Sequence, residues 1–397
     1  MSEGPLADIR VIDCSGLIAA PGCARYLADF GADVIKVERP DGGDAARDLG
    51  WRDTRDGVSL WWKLEGRNKR CVTLDLKSAE GRQAMLGLCD DAHVLVENFR
   101  PGTLERLGLG PDVLLARNPK LVITRITGFG QDGPYAGRPG FATLAEAMSG
   151  FAAINGEPDG APLLPPVALT DEVTALVGAF ATMVALHSGV GQVVDASLLE
   201  SMLQVMGPLP AAYGVLGYEQ PRLGSGIPYS VPRSTYRCAD GRWVAISTSS
   251  EPVARRLLAL VGLGGDDRLR TNAGRAAHRE EVDRAVGDWI GARTTPDVLA
   301  TLNEADVAVA PVMGMADILG DPHVAARRAV CDVEGTPMQG VVARLSATPG
   351  RIRWSGRPLG SDNEEVLGSP AGPRPGSRPR GSAAPRGPSS RPPRWRP

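Results

Sequence analysis

Short apolar runs alternate with amphipathic ones through the first 130 residues, and no other feature restricts the fold as tightly. "IRVIDC" (9–14), "DVIKVE" (33–38), "CVTLDL" (71–76), "HVLVEN" (93–98) and "LVITRI" (121–126) have the length and β-branched content of buried strands. "APGCARYLADFG" reads as a helix with Pro21 near its first turn and Gly31 closing it. "SAEGRQAMLGLCDDA" reads as a helix capped by Ser78, and "GPDVLLARNP" as another. Strands that alternate with helices predict an α/β fold with a doubly wound parallel sheet. Ligands of such sheets lie outside the carboxyl ends of the strands, which nominates the loops 15–22, 39–44, 98–106 and 127–140.

The texture changes near residue 220. "STYRCADGRWVAIST" (234–248) predicts an antiparallel hairpin turning at Asp240-Gly241, and helical stretches follow, so a smaller α+β domain is expected over 222–315. The expected order is a large domain over 1–221, the small domain, and a return to the large one over 316–368. The last segment, 369–397, is Pro, Gly, Ser and Arg with almost nothing to bury, and reads as disordered.

Charge excludes one class of partner. The net charge is -2, and the last 29 residues hold seven Arg and no acid, so the body before them is acidic and not a nucleic-acid binder. The six cysteines (Cys14, Cys23, Cys71, Cys89, Cys238, Cys331) and four histidines (His93, His187, His278, His323) are dispersed, with no metal-ligand spacing, so no metal is expected. That thiol usage fits a reducing cytoplasm. The N-terminal residues show no basic region leading into an apolar core, so no signal peptide is expected. The apolar run around 173–186 reads as too short and mixed to span a bilayer, so no membrane partner is expected.

A strand, a turn, a helix and a second strand ending in Glu38 outline a dinucleotide fold. The turn, however, reads "SGLIAAPG", with no GxGxxG, and Pro21 removes a backbone N–H that would face a pyrophosphate. The fold passes this test; NAD binding does not. Basic residues offer another anion reader: Lys63, Arg67, Lys69 and Arg70 in "KLEGRNKR", and Arg39, Lys77, Arg100 and Arg106 after successive strands.

Seven ordered motifs make the reading specific: "DIRVID" (8–13), "LADFGADVIKVERPDGGD" (27–44), "GRNKRCVTLDLKSAEGR" (66–82), "VENFRPGTLERLGLG" (96–110), "TGFGQDGPYAGRPGF" (127–141), "GQVVDASLLES" (191–201) and "TPGRIR…PLGSDNEEVL" near the end. Together they resemble the class III CoA-transferase family, also called the carnitine CoA-transferase/bile-acid-inducible (CaiB/BaiF) family. The resemblance implies a Rossmann-like large domain with an inserted smaller α+β domain, and an interlocked-ring homodimer. It implies coenzyme A, as acyl-CoA, and a carboxylic acid as substrates. It implies a catalytic aspartate at Asp171 and CoA contacts at Leu17, Ala19, Arg39, Leu74, Lys77, Asn98, Phe99 and Arg106, with Lys69 and Arg70 matching more weakly.

Asp171 stands in "LLPPVALTDEVTALVGAF" (163–180), beside a second acid, Glu172. Taken alone, the stretch reads as a helix start, with Asp a common N-cap and both acids offsetting the macrodipole. The family pattern adds a chemical task for Asp171 and leaves Glu172 facing solvent or a basic partner. Phe141-Ala142 stands where the family's racemases carry His-Asp, which argues for transfer over epimerisation. Ile18 stands where the formyl/oxalyl branch carries Gln, which favours a more apolar acyl group. An acyl-CoA isomerase using Asp171 as base and a silent CoA-binding homologue are the alternatives.

Overall fold

The computed structural model of the chain describes residues 4–368. The Pro/Arg-rich segment 369–397, expected to be disordered, lies outside them.

Strands β1 (Arg10–Asp13), β2 (Asp33–Glu38), β3 (Lys69–Thr73), β4 (Val94–Glu97), β5 (Val122–Thr127) and β6 (Gln192–Ser197) form one sheet. All pair in parallel, in the order β3-β2-β1-β4-β5-β6. The inner strands β1, β2, β4 and β5 are mainly apolar on both faces because both are covered. Val11, Val34, Val94 and Val122 pack with helix Ala19–Asp29 and with Ala179 and Ala185 of helix Leu169–Ser188. Their neighbours Ile12, Ile35, Leu95 and Ile123 pack on the other face with Met85, Cys89 and Leu114 from helices Ala79–Asp90 and Pro111–Arg117.

The alternating pattern predicts five strands, and β6 is the sixth. It lies at the sheet edge, and its first four residues are only partly covered, so it lacks the continuous apolar run of an inner strand. At the opposite edge β3 is closed by the C-terminal segment. Cys71 N–H donates to Asp362 Oδ2 at 2.7 Å, Thr73 N–H to Asn363 Oδ1 at 2.8 Å, and Trp354 Nε1 to Lys69 O at 3.1 Å. Edge groups that would template another strand are thereby satisfied.

Helix Leu169–Ser188 decides where the site sits. It starts earlier than an Asp171 cap would have it: Ala168 is the N-cap and supplies no side-chain bond, and Asp171 lies in the first turn. The helix also extends beyond the 173–186 run, and its mean hydropathy of 1.5 is high enough to cross a membrane by length and composition. Its buried face is instead pressed into the fold through small residues: Thr174, Ala175, Gly178, Ala179 and Thr182. A Cβ on Gly178 would lie 2.9 Å from Ile126 Cδ1, and one on Gly22 would lie 3.0 Å from Ala175 Cβ.

A second core forms beyond residue 230. Strands β7 (Arg233–Arg237) and β8 (Trp243–Ser247) are antiparallel around the Asp240-Gly241 turn, with Gly241 at φ +81°, and β9 (Val309–Pro311) pairs antiparallel with β8. Helices Glu251–Leu260, Arg279–Gly291 and Thr295–Glu304 cover them through Leu257, Val286, Ile290 and Leu302. A hairpin of β10 (Val330–Val333) and β11 (Thr336–Gln339) precedes the closing segment.

Candidate active site

The strand order reverses direction between β1 and β4, and a cavity of about 850 Å³ opens outside the strand ends there. Its walls are the loops after β1, β2, β3, β4 and β5, closed by Asp171 and Leu198.

The first loop is held in an unusual shape by buried charge. Leu17 has φ +68°, a left-handed backbone that an L side chain adopts at a cost of roughly 1–2 kcal/mol. Its N–H donates to Asp44 Oδ1 at 3.0 Å, and Asp44 is in turn 2.8 Å from Lys36 Nζ. Asn98 clamps the residue before it, accepting from Gly16 N–H at 2.9 Å and donating to Gly16 O at 2.8 Å. Beneath the loop, Lys69 Nζ lies 2.8 Å from Asp13 Oδ2, and Ser15 donates to Asp13 Oδ1. Burial pushes the Asp13 carboxyl up, but Lys36 and Lys69 outweigh it and hold it below the usual range.

The cavity wall is rich in uncommitted cations. Arg39, Lys77, Arg100 and Arg138 all line it, and none forms an ion pair among the described residues. Arg39 donates to Gly43 O at 3.2 Å, and Arg138 stacks over the Tyr135 ring at 3.9 Å. Glu38, the acid a dinucleotide fold would turn to a ribose, is occupied: Arg47 binds both its oxygens at 2.7 Å.

Asp171 is the contrasting group. Its carboxylate makes no hydrogen bond or ion pair among the described residues, and it lines the same cavity. Burial, then the neighbouring carboxylates Glu146 and Glu172, push its pKa up to about 6. It is therefore ionised at neutral pH and more basic than an ordinary aspartate. Glu172 turns the other way, accepting from Arg25 Nη2 at 3.0 Å and from the Tyr26 hydroxyl at 2.7 Å. An ionised carboxylate free of partners, in a cavity lined by free cations, can attack an electrophile carried by an anionic ligand.

The sequence profile of CoA-transferase family III matches residues 6–363. The chain belongs to CoA-transferase family III. It is a class III CoA-transferase. It is 42% identical to the succinyl-CoA–L-malate CoA-transferase beta subunit of Chloroflexus aurantiacus, with 91% of this chain and 93% of that one covered. It is 38% identical to the succinyl-CoA–D-citramalate CoA-transferase of the same organism, again over 91% and 93%. Among solved structures, a CaiB/BaiF family protein from Brucella suis superposes with a TM-score of 0.81 at 31% identity, covering 92% of this chain and 98% of that one.

Within this family member, the positions nominated from sequence fall into three groups. Leu17, Ala19, Arg39, Leu74, Lys77, Asn98, Phe99, Arg100 and Asp171 share the cavity. Arg106 stands outside its lining, donating to the wall residue Thr103 at 2.7 Å. The cluster Lys63, Arg67, Lys69 and Arg70 is also absent from the lining, because its charges are spent on Asp53, Asp29, Asp13 and Asp33. Two residues escaped the sequence reading. Arg138 had a weak signal, a cation between glycines in "GRPG". Glu146 had a better one, an acid inside the apolar stretch "FATLAEAM".

Proposed function

We propose that the protein moves CoA from an acyl-CoA thioester to a free carboxylic acid, with Asp171 as nucleophile. The observation that carries this reading is the largely buried, unpaired Asp171 carboxylate in a cavity whose wall also presents the unpaired cations Arg39, Lys77, Arg100 and Arg138. Arg39 and Lys77 follow β2 and β3, whereas helix Leu169–Ser188 packs on β5 and β6. Strands about 4.8 Å apart separate those ends by roughly 15 Å or more, a span suited to an extended pantetheine arm. Arg39, Lys77 and Arg100 meet the CoA phosphates, Phe99 offers a ring to the adenine, and Leu17, Ala19 and Leu74 line the arm.

The steps balance without an outside reagent. The Asp171 carboxylate attacks the thioester carbonyl, expelling CoA thiolate and forming an acyl-aspartyl anhydride. The thiolate attacks the aspartyl carbonyl, releasing the donor acid and leaving an aspartyl-CoA thioester. The acceptor carboxylate attacks that thioester to give a second anhydride and free thiolate, and the thiolate takes the new acyl group, restoring Asp171. Holding the reactants aligned supplies an effective molarity on the order of 10⁵ M or more, which compensates for a weak nucleophile.

The relatives named for succinyl-CoA, L-malate and D-citramalate point to dicarboxylic substrates. Arg138, stacked and unpaired, is a cation suited to a second carboxylate. A homodimer of interlocked rings, each with its small domain inserted over 222–315, accommodates an otherwise exposed apolar stripe. Leu176, Phe180 and Val184 recur every fourth residue on helix Leu169–Ser188 and are 42%, 72% and 54% exposed. The free thiols of all six cysteines suit a cytoplasmic location.

The test is incubation with succinyl-CoA and a panel of mono- and dicarboxylic acids, reading acyl-CoA products by mass spectrometry. A new acyl-CoA formed with stoichiometric succinate is expected. Deuterium entering the α-carbon from D₂O without any acceptor would favour the isomerase reading, and no exchange across the panel would overturn transfer.

A further inference from the structure

Glu146 lies on helix Ala142–Met148, is 4% exposed, and forms no ion pair among the described residues. Among the described residues its one side-chain hydrogen bond comes from Thr170 Oγ1 to Oε1 at 2.9 Å, and Thr170 is itself fully buried and directly precedes Asp171. A buried carboxylate with a single neutral donor and no cation is costly to keep, so its presence beside a nucleophile calls for a reason. A glutamine would accept the same bond from Thr170 and fill the same space, so packing does not demand an acid.

The other charged groups on the elements around Asp171 differ in how they are matched. On its own helix, Glu172 is bound by Arg25 and Tyr26. On helix Ala19–Asp29, Arg25 faces Glu65 and Glu172, and Asp29 faces Arg67. On helix Leu198–Val205, Glu200 accepts from Ser197. On β5, Arg125 pairs with Glu97 and Glu105, and on β6 Asp195 accepts from Gln131 N–H. Arg39, Lys77, Arg100 and Arg138 line the cavity. Of the two acids that act on Asp171, Glu172 is paired with Arg25, whereas Glu146 has no ion pair among the described residues.

We propose that Glu146 is a positioning residue for Asp171: held by Thr170, its buried negative charge disfavours the resting Asp171 carboxylate and is relieved when Asp171 is acylated. The inference rests on Asp171 being the nucleophile. In the resting enzyme the Glu146 carboxylate is tied to the residue that precedes the Asp171 carboxylate; in the anhydride and in the aspartyl-CoA thioester, Asp171 carries no charge. Glu146 therefore favours covalent capture. It also biases the anhydride, because expelling the Asp171 carboxylate restores the repulsion, whereas expelling the donor acid does not.

The test compares wild type, Glu146→Gln and Thr170→Val in the full chain by pH–rate profiles of kcat/KM and by hydroxylamine trapping with peptide mapping. Glu146→Gln is expected to move the acid limb down by about 0.5–1 pH unit. It is also expected to trap less adduct on Asp171, with the KM for acyl-CoA within about threefold of wild type. Thr170→Val, which keeps the charge, is expected not to lower the limb. A Glu146→Gln limb coincident with wild type, or an equal downward shift in Thr170→Val, would overturn the inference while wild-type adduct on Asp171 upholds the nucleophile. Absence of that adduct from wild type would overturn the nucleophile and this inference with it.

Discussion

Arg25 Nη2 and Glu172 Oε2 lie 3.0 Å apart, an ion pair that fastens the first turn of helix Leu169–Ser188 to helix Ala19–Asp29. The pair sorts two adjacent acids by task. Glu172 fixes the helix and Asp171, one residue earlier, is left for the cavity. Glu172→Gln removes the charge and leaves buried Arg25 with Glu65 at 3.4 Å. The expected cost is about 1–3 kcal/mol of stability, measured by urea denaturation, with kcat of the folded enzyme changed by less than about tenfold.

Asp171 is held at a cost in stability. Its folded pKa of about 6 exceeds its ordinary value of 3.8, so the folded state binds the proton more tightly than the unfolded chain does. The ionised group therefore costs stability above pH 6, and the cost fades as pH falls through 6 toward 3.8. Asp171→Asn is expected to raise stability at pH 7.5 by roughly 1–3 kcal/mol, with the gain vanishing near pH 4. A thermal-melt series across pH checks it.

Activity should follow the same group. On the proposed mechanism Asp171 reacts as the carboxylate, so kcat/KM for wild type is expected to be flat above pH 7 and to fall tenfold per unit well below pH 6. A profile flat down to pH 5 would show that another group limits the reaction.

Cations in the cavity should outweigh those spent elsewhere. Lys77→Ala is expected to raise the KM for acyl-CoA by about tenfold or more with little change in kcat, and to reduce its salt dependence. Arg106→Ala, outside the cavity lining, is expected to change KM by less than about threefold. Steady-state kinetics at two ionic strengths separates them.

The close approach of the two site helices is equally testable. Gly178→Val would drive a side chain into Ile126 and Cys23, at a cost of about 1–3 kcal/mol or more. Lowered thermal stability together with loss of activity is expected, because the same helix carries Asp171.

Much of this was legible in the residues. The four inner strands and the covered edge strand β3 announce themselves because burial on both faces leaves short apolar runs, and the Asp240-Gly241 hairpin because its turn chemistry is local. What stayed hidden depends on distant partners. β6 is half covered, so its pattern is diluted. Lys63, Arg67, Lys69 and Arg70 read as an anion site from sequence, yet Arg67, Lys69 and Arg70 each find an acid on a distant strand or helix and Lys63 finds Asp53 in the preceding loop. The start of helix Leu169–Ser188 is not legible locally because nothing caps it by side chain; Ala168 gives no signal. Ile18 hints at an apolar acyl group, but the loop after β5 brings Arg138 to the same cavity, and that convergence is invisible locally.

Trapping the covalent intermediate tests the central claim most directly. Wild type is incubated with succinyl-CoA, quenched with hydroxylamine, digested and mapped by mass spectrometry, with Asp171→Asn in parallel. A hydroxamate on Asp171, absent from the variant, is the expected result. A productive enzyme that yields no modification at Asp171, or a variant that keeps full exchange activity, would contradict it.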